Sequence, residues 1–282
     1  MASHPYHIRA MTRDELDVAL SWATAEGWNP GLHDGDCFHR TDPDGFLMGF
    51  LNGEPIASIS AVKYGESFGF IGCYIVKPGF RGQGYGLTLW HGALDYLKGR
   101  NIGLDGVVAQ QDNYVKSGFS LAHRNIRYAG VGRGIPHNSD CVPLAHLPTE
   151  KVIAYDRRFF PEERSGFIQC WMAQPGSHAV GVIQGQELVG YGVLRPCQRG
   201  YKIGPLFANG AAIADEIFQT LVAQVPQGDS FYLDVPQVNG AAVALAERYG
   251  MADDFETARM YTQSKPELPL NQIFGITTFE LG

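Results

Sequence analysis

Phe68-Gly69-Phe70-Ile71-Gly72-Cys73-Tyr74-Ile75-Val76-Lys77-Pro78-Gly79-Phe80-Arg81-Gly82-Gln83-Gly84-Tyr85-Gly86-Leu87 is the stretch whose reading decides the fold. An apolar β-type run ends at Val76, and a Pro-Gly turn follows. Arg81-Gly82-Gln83-Gly84-Tyr85-Gly86 then opens the helical pattern Leu87, Leu89, Trp90, Ala93, Leu94 and Leu97. Strand, glycine-rich turn and helix N-terminus together make an anion site. Glycines let the backbone approach a ligand, successive N–H groups point into the turn, and the helix dipole favours negative charge. A phosphate-bearing ligand is expected here.

The spacing narrows the choice of ligand. A P-loop needs Gly-Lys followed by Ser or Thr, which this turn lacks. A dinucleotide fingerprint needs G-x-G-x-x-G, whereas these glycines stand at 82, 84 and 86; Asp105, about 20 residues on, lies inside a strand-like run instead of at its far end. Val-x-Pro followed by Arg-Gly-x-Gly-x-Gly resembles motif A of the GNAT acetyltransferases, which hold the pyrophosphate of acetyl-coenzyme A in this turn. The resemblance implies acetyl-CoA as cofactor, bound by Arg81, Gly82, Gln83, Gly84, Tyr85, Gly86 and Leu87.

The rest of the first half has the element order of that family. Tyr6–Arg9 reads as a strand. Thr12 with Glu15 three residues on is a capping box, opening a helix with Leu16, Ala19, Leu20 and Ala23 on one face. His33–Arg40 reads as a short helix, and Phe46–Leu51 and Pro55–Tyr64 as strands joined by the hairpin signal Asn52-Gly53. Phe68–Val76, the helix to about Lys98, Ile102–Val108, the short helix Asp112–Ser117 and the strand Ser120–Ala129 complete β-α-α-β-β-β-α-β-α-β. Residues 1–130 are therefore expected to form a catalytic domain, a twisted mixed sheet flanked by helices.

Two local patterns are decoys. Gly65-Glu66-Ser67-Phe68-Gly69 matches G-x-S-x-G, but a nucleophile elbow must enter a helix and both flanks here are strands. His33-Asp34-Gly35-Asp36-Cys37-Phe38-His39 has metal-ligand residue types without a zinc spacing, so no metal is expected. In the family the same loop shapes the acceptor pocket. The resemblance makes Trp28, Asp34, Asp36 and Cys73 candidate acceptor-side residues, the carboxylates drawing a cationic amine.

Acyl transfer to an amine needs a polarised thioester carbonyl, a positioned neutral amine and a proton for the leaving thiolate. The resemblance gives the first task to the backbone of Tyr74, Ile75 and Val76. It gives the last to Tyr114, four residues before the Gly118-Phe119 that closes the fourth helix. Tyr suits that task because its usual pKa near 10 keeps it protonated at neutral pH. Val107 stands where the family often carries an Asn against the pantetheine arm. No general base is assignable.

After a glycine-rich linker at 131–138, residues 139–282 read as a second copy. Val180–Ile183 and Leu188–Leu194 flank a hairpin turn, followed by the strand Tyr201–Phe207, the helix Ala211–Val225 and the strand Phe231–Val235. Asn239–Met251 resembles the fourth-helix motif, and Gly118 and Gly250 lie 132 residues apart. This copy has Ala246 in place of Tyr114. Its turn Ala208-Asn209-Gly210-Ala211 has no Arg and one glycine, with Asp215 and Glu216 close behind, so it is expected to be non-catalytic. The fold expected is α/β (α+β), two tandem GNAT-like domains.

Composition bounds the partners. A chain of 282 residues is long enough for one large domain or two of ordinary size, and its 45% hydrophobic content supports a full core. A net charge of −7 without a dense basic stretch argues against nucleic acid or an anionic membrane. No apolar run reaches 18 residues, and Met1–Pro5 does not read as a signal peptide. Five scattered cysteines suggest reduced thiols and a cytoplasmic protein, monomeric or homodimeric. The resemblance implies an N-acetyltransferase that moves acetyl directly from acetyl-CoA to a primary amine of a small molecule or peptide. The alternatives are a non-catalytic CoA-binding sensor, or an acyltransferase with a longer donor or an O-acceptor.

Overall fold

The computed structural model describes residues 6–282; Met1–Pro5, and the signal-peptide question with them, lie outside the described residues. The first half runs β1 (His7–Ala10), α1 (Arg13–Ala25), α2 (Asp34–Thr41), β2 (Phe46–Leu51), β3 (Glu54–Tyr64), β4 (Phe68–Val76), α3 (Tyr85–Tyr96), β5 (Asn101–Val107), α4 (Gln111–Lys116) and β6 (Ser120–Val131). The second runs β7 (Val142–Pro143), α5 (Thr149–Asp156), α6 (Ser165–Met172), β8 (His178–Gln184), β9 (Glu187–Pro196), β10 (Tyr201–Ala208), α7 (Ala211–Val222), β11 (Ser230–Pro236), α8 (Gly240–Arg248), β12 (Ala252–Tyr261) and β13 (Ile273–Gly275).

Local signals form as read. Thr12 Oγ1 accepts from Glu15 N at 3.2 Å while Glu15 Oε2 accepts from Thr12 N at 2.8 Å, closing the capping box. Leu16, Ala19, Leu20 and Ala23 are buried on one stripe of α1. Asn52 and Gly53 take φ of 53° and 83°, the pair of positive values that a tight hairpin needs between β2 and β3.

The strands join one continuous mixed sheet in the order β1-β2-β3-β4-β5-β12-β6-β11-β10-β9-β8-β7, with β13 on β10. The halves are interleaved at its centre. β12, which follows α8, lies between β5 and β6, and β6, which follows α4, pairs with β11. Arg127 on β6 and Asp234 on β11 stand directly opposite each other and form a buried ion pair at 2.7 Å.

Helices cover both faces. On one, α1 and α2 of the first half share a single core with α5 and α6 of the second, including Leu16, Phe38, Phe70, Tyr155, Phe167 and Trp171. On the other, α3 packs Leu89, Trp90 and Ala93 against Ile59 and Ile71, and α7 packs Ile217, Phe218 and Leu221 against Ile203 and Leu233.

The cysteines are not all reduced, contrary to what their scattered spacing suggests. Cys37 on α2 and Cys170 on α6 are joined as a disulfide, whereas Cys73, Cys141 and Cys197 are free thiols. The partners are 133 residues apart and meet only because α2 and α6 pack together, so their spacing carried no pairing signal.

Candidate active site

β4 and β5 pair in parallel from Phe68↔Asn101 to Ile71↔Leu104 and then diverge. The divergence begins at a bulge. Register with β3 shifts between Ser58 and Ser60, Cys73 takes φ 47°, and Ser58 Oγ donates to Cys73 O at 3.1 Å. Lys77 N donates to Ile56 O of β3 at 2.9 Å, so by strand alternation the Val76 N–H faces the side that β5 has vacated.

The glycine turn stands at the mouth of this opening. Arg81 Nε donates to Val76 O at 2.7 Å and its Nη2 to Glu26 Oε1 at 2.5 Å, which tie the turn to β4 and to the end of α1. Gln83 Nε2 donates to Gly79 O at 3.0 Å. Gly82 and Gly84 take φ of 74° and 87°, and a Cβ on either would meet open space. Their lack of a side chain thus serves backbone shape and leaves the N–H groups of the first turn of α3 uncovered. Gly86 has the opposite role: its Cβ would lie 2.6 Å from Tyr74 Oη and 2.8 Å from Val76 Cγ2, so glycine lets α3 sit down on β4. Tyr85 packs on Tyr6 with centroids 5.0 Å apart, and Leu87 is left exposed beside the turn.

Tyr114 closes the far side. Its ring lies on Gly106 of β5 and 5.7 Å from Trp90, which in turn packs 5.4 Å from Tyr74. Burial, with Tyr74 beside it, pushes the Tyr114 hydroxyl up to about 12. It therefore stays protonated throughout the neutral range. Turn, opening and Tyr114 fit a pyrophosphate with a thioester arm: open N–H groups at one end, a gap between strands, and a hydroxyl at the other.

The residues expected on the acceptor side divide. Cys73 is buried beside the bulge, and burial, with Glu280 next in effect, pushes its thiol well up, which keeps it neutral. Asp34, expected to draw a cationic amine, is instead committed to Arg195 of β9 at 2.8 Å and to Gly31 N at 2.8 Å, with no exposed surface. Trp28 gives its carbonyl to Arg127 Nη1 at 2.9 Å, so its loop is clamped to the centre of the sheet. Asp36 faces solvent and pairs with Arg13.

The second cleft is filled. β10 and β11 pair only from Tyr201↔Phe231 to Ile203↔Leu233, and β13 then occupies the gap, pairing Leu206↔Gly275 and Phe207↔Ile273. Asn239 Nδ2 donates to Ile273 O at 2.9 Å to hold it. Sequence reading missed this plug, because a three-residue strand carries no periodic signal. Among the described residues no cluster of His, Cys, Asp and Glu is placed to hold a metal, and no helix is long and apolar enough to cross a membrane.

A bulged, splayed strand pair feeding a glycine turn at a helix N-terminus, followed by a second half with the same strand splay filled by β13, defines a GNAT-type acyltransferase fold. Residues 9–119 match the Acetyltransferase (GNAT) family profile and 152–275 an Acetyltransferase (GNAT) domain profile. A protein named a holothin acyltransferase, from Pseudoalteromonas sp., is 33% identical over 270 residues, 95% of this chain and 92% of that one. A putative acetyltransferase from Pyrococcus horikoshii shares the fold at TM-score 0.84 and 24% identity, covering 100% of this chain and 98% of that one. A tandem GNAT protein from the clavulanic acid biosynthesis pathway superposes at TM-score 0.63 and 12% identity, covering 93% of this chain and 100% of its own. The chain belongs to the GNAT acyltransferase family.

Proposed function

We propose that the chain is an N-acetyltransferase that uses acetyl-CoA and a primary amine of a small molecule or peptide, with chemistry confined to the first half. The observation that carries this reading is the contrast between the two clefts. The first has an open glycine turn and Tyr114, whereas the second is plugged by β13 and has a buried Ala246 in the equivalent place. Bound acetyl-CoA supplies an activated acyl thioester. The turn at Arg81–Leu87 would hold the pyrophosphate, the Val76 N–H would be the donor available to the thioester oxygen, and Tyr114 would supply the proton for the departing sulfur. Direct transfer within a ternary complex follows, because the buried, neutral Cys73 is a poor covalent nucleophile.

The relative's name supports acyl transfer and places holothin among the acceptors to be tried. The deciding experiment measures CoA thiol release from acetyl-CoA, and from longer acyl-CoAs, against holothin, simple alkylamines, a peptide amine and an alcohol. Amine-dependent release with acetyl-CoA is expected. Release with none of the acceptors favours a CoA-binding sensor, and preference for longer chains or the alcohol replaces the acetyl or amine assignment.

A further inference from the structure

The segment after β13 is buried almost without interruption, from Ile276 to Leu281. It leaves the second cleft, crosses to the first half and ends on β4. Ile276 N donates to Asp234 O at 2.9 Å, Tyr64 Oη donates to Leu281 O at 3.0 Å, and the main-chain oxygen of Glu280 rests against Gly72. Phe68 and Phe70 face the α1–α2 side of the sheet, and alternation turns Gly72 the same way. Glu280 thus stands where β4 leaves β5, on the face opposite Tyr114 and beside Cys73.

Its carboxylate is unusual within this fold. The side chains of Asp34, Asp105, Asp156 and Asp234 are all buried, and each is held by an arginine: Arg195, Arg259, Arg164 and Arg127 respectively. Glu280, 3% exposed, has no cation within ion-pair distance among the described residues and is hydrogen-bonded by the Thr278 hydroxyl. Arg127, Arg195 and Lys202 feel its charge from beyond ion-pair distance. Arg127 is paired with Asp234, and Lys202 Nζ donates to Asn29 O at 2.9 Å. Arg195 holds Asp34 through Nε and Nη2, while its Nη1 has no hydrogen-bond partner among the described residues. Burying a carboxylate without a direct ion partner is expensive, and its lone pairs are left available.

Resting on the acyltransferase reading above, we propose that Glu280 is the base that takes the proton from the acceptor's ammonium group as it docks at the opening where β4 leaves β5. The ammonium loses one proton to the Glu280 carboxylate, which later releases it to solvent. The freed nitrogen lone pair forms the C–N bond, the C–S bond breaks, and the electron pair leaves on sulfur. Sulfur takes a proton from Tyr114, and the second N–H proton, shed as the amide forms, restores the Tyr114 hydroxyl. A residue from the end of one half would thereby complete the site of the other.

The test compares the full chain with Glu280→Gln and Glu280→Asp, using acetyl-CoA and the best alkylamine of the panel, between about pH 6 and 9. Glu280→Gln removes a buried charge without changing shape, so the fold and acetyl-CoA affinity are expected to persist. Its kcat/KM is expected to fall about 10²-fold near neutrality, with the deficit shrinking as rising pH supplies free amine. Glu280→Asp, its carboxylate drawn back by one methylene, is expected to lose rate but keep the wild-type pH profile. Near-wild-type activity of Glu280→Gln, or an equal deficit at every pH, overturns the assignment. A wild-type chain that transfers acetyl to no amine instead removes the underlying reading.

Discussion

Gly72 on β4 and Gly204 on β10 lie 132 residues apart at matching places in the two halves, and the closing segment presses its main chain against both. Glu280 O meets Gly72, and a Cβ on Gly204 would come within 2.5 Å of Thr277 O and 2.7 Å of Ile276 O. One segment therefore plugs the second cleft and walls the first. Gly204→Ala is expected to cost about 1–3 kcal/mol, because its neighbours are backbone and cannot rotate away. Denaturant unfolding measures this, and an unchanged midpoint would contradict the packing.

Tyr114→Phe is expected to lower turnover more than about ten-fold while acyl-CoA binding holds. Gly106→Ala tests position separately from chemistry, since its Cβ would collide with the Tyr114 ring and displace it. Both variants should lose kcat in steady-state assays. Full activity in Tyr114→Phe would remove the hydroxyl from the mechanism.

Gly84→Glu should abolish acyl-CoA binding by placing a side chain and negative charge at the open turn, where φ is 87°. Gly210→Glu in the second half, where φ is −174°, should bind normally because that cleft is already filled. Calorimetric titration of both separates one site from two. Equal loss in both variants would argue that the second turn also binds.

Non-reducing thiol titration of the unfolded chain should count three free cysteines, and five after reduction, if Cys37 and Cys170 are joined in solution. Closing so long a loop restricts the unfolded chain, so reduction should lower stability by about 2–4 kcal/mol. Five thiols before reduction would refute the bond.

Burial, then repulsion from Arg259, pulls the His123 imidazole down to about 3, and its Nδ1 lacks a partner. The folded chain thus refuses a proton that the unfolded chain binds from about pH 6.5 downward. Stability contributed by neutral His123 is full above that value and lost as pH falls toward 3. His123→Gln should flatten the stability slope over pH 4.5–6 by up to about 1.4 kcal/mol per pH unit. An unaltered slope would show that His123 is protonated in the fold.

Much was legible in short stretches. Arg81–Leu87, the Thr12–Glu15 box, the Asn52-Gly53 hairpin and the 132-residue repeat each lie within reach of local chemistry or simple periodicity, so the family and the position of the glycine turn could be read directly. Tyr114 and Ala246 could be told apart because both sit at a motif position. The acceptor side could not. Asp34 looked free until α2 met Arg195, 161 residues away, and Cys37 looked unpaired until it met Cys170. Glu280 gave no signal, since a lone carboxylate near the end of the sequence carries none. Sequence by itself determined the family, the elements of the first half and the places of the glycine turn and Tyr114, because those depend on neighbours along the chain. Only the tertiary structure decided the interleaving of β6 and β12, the β13 plug and the wall at Gly72, because these depend on packing between residues far apart along the chain.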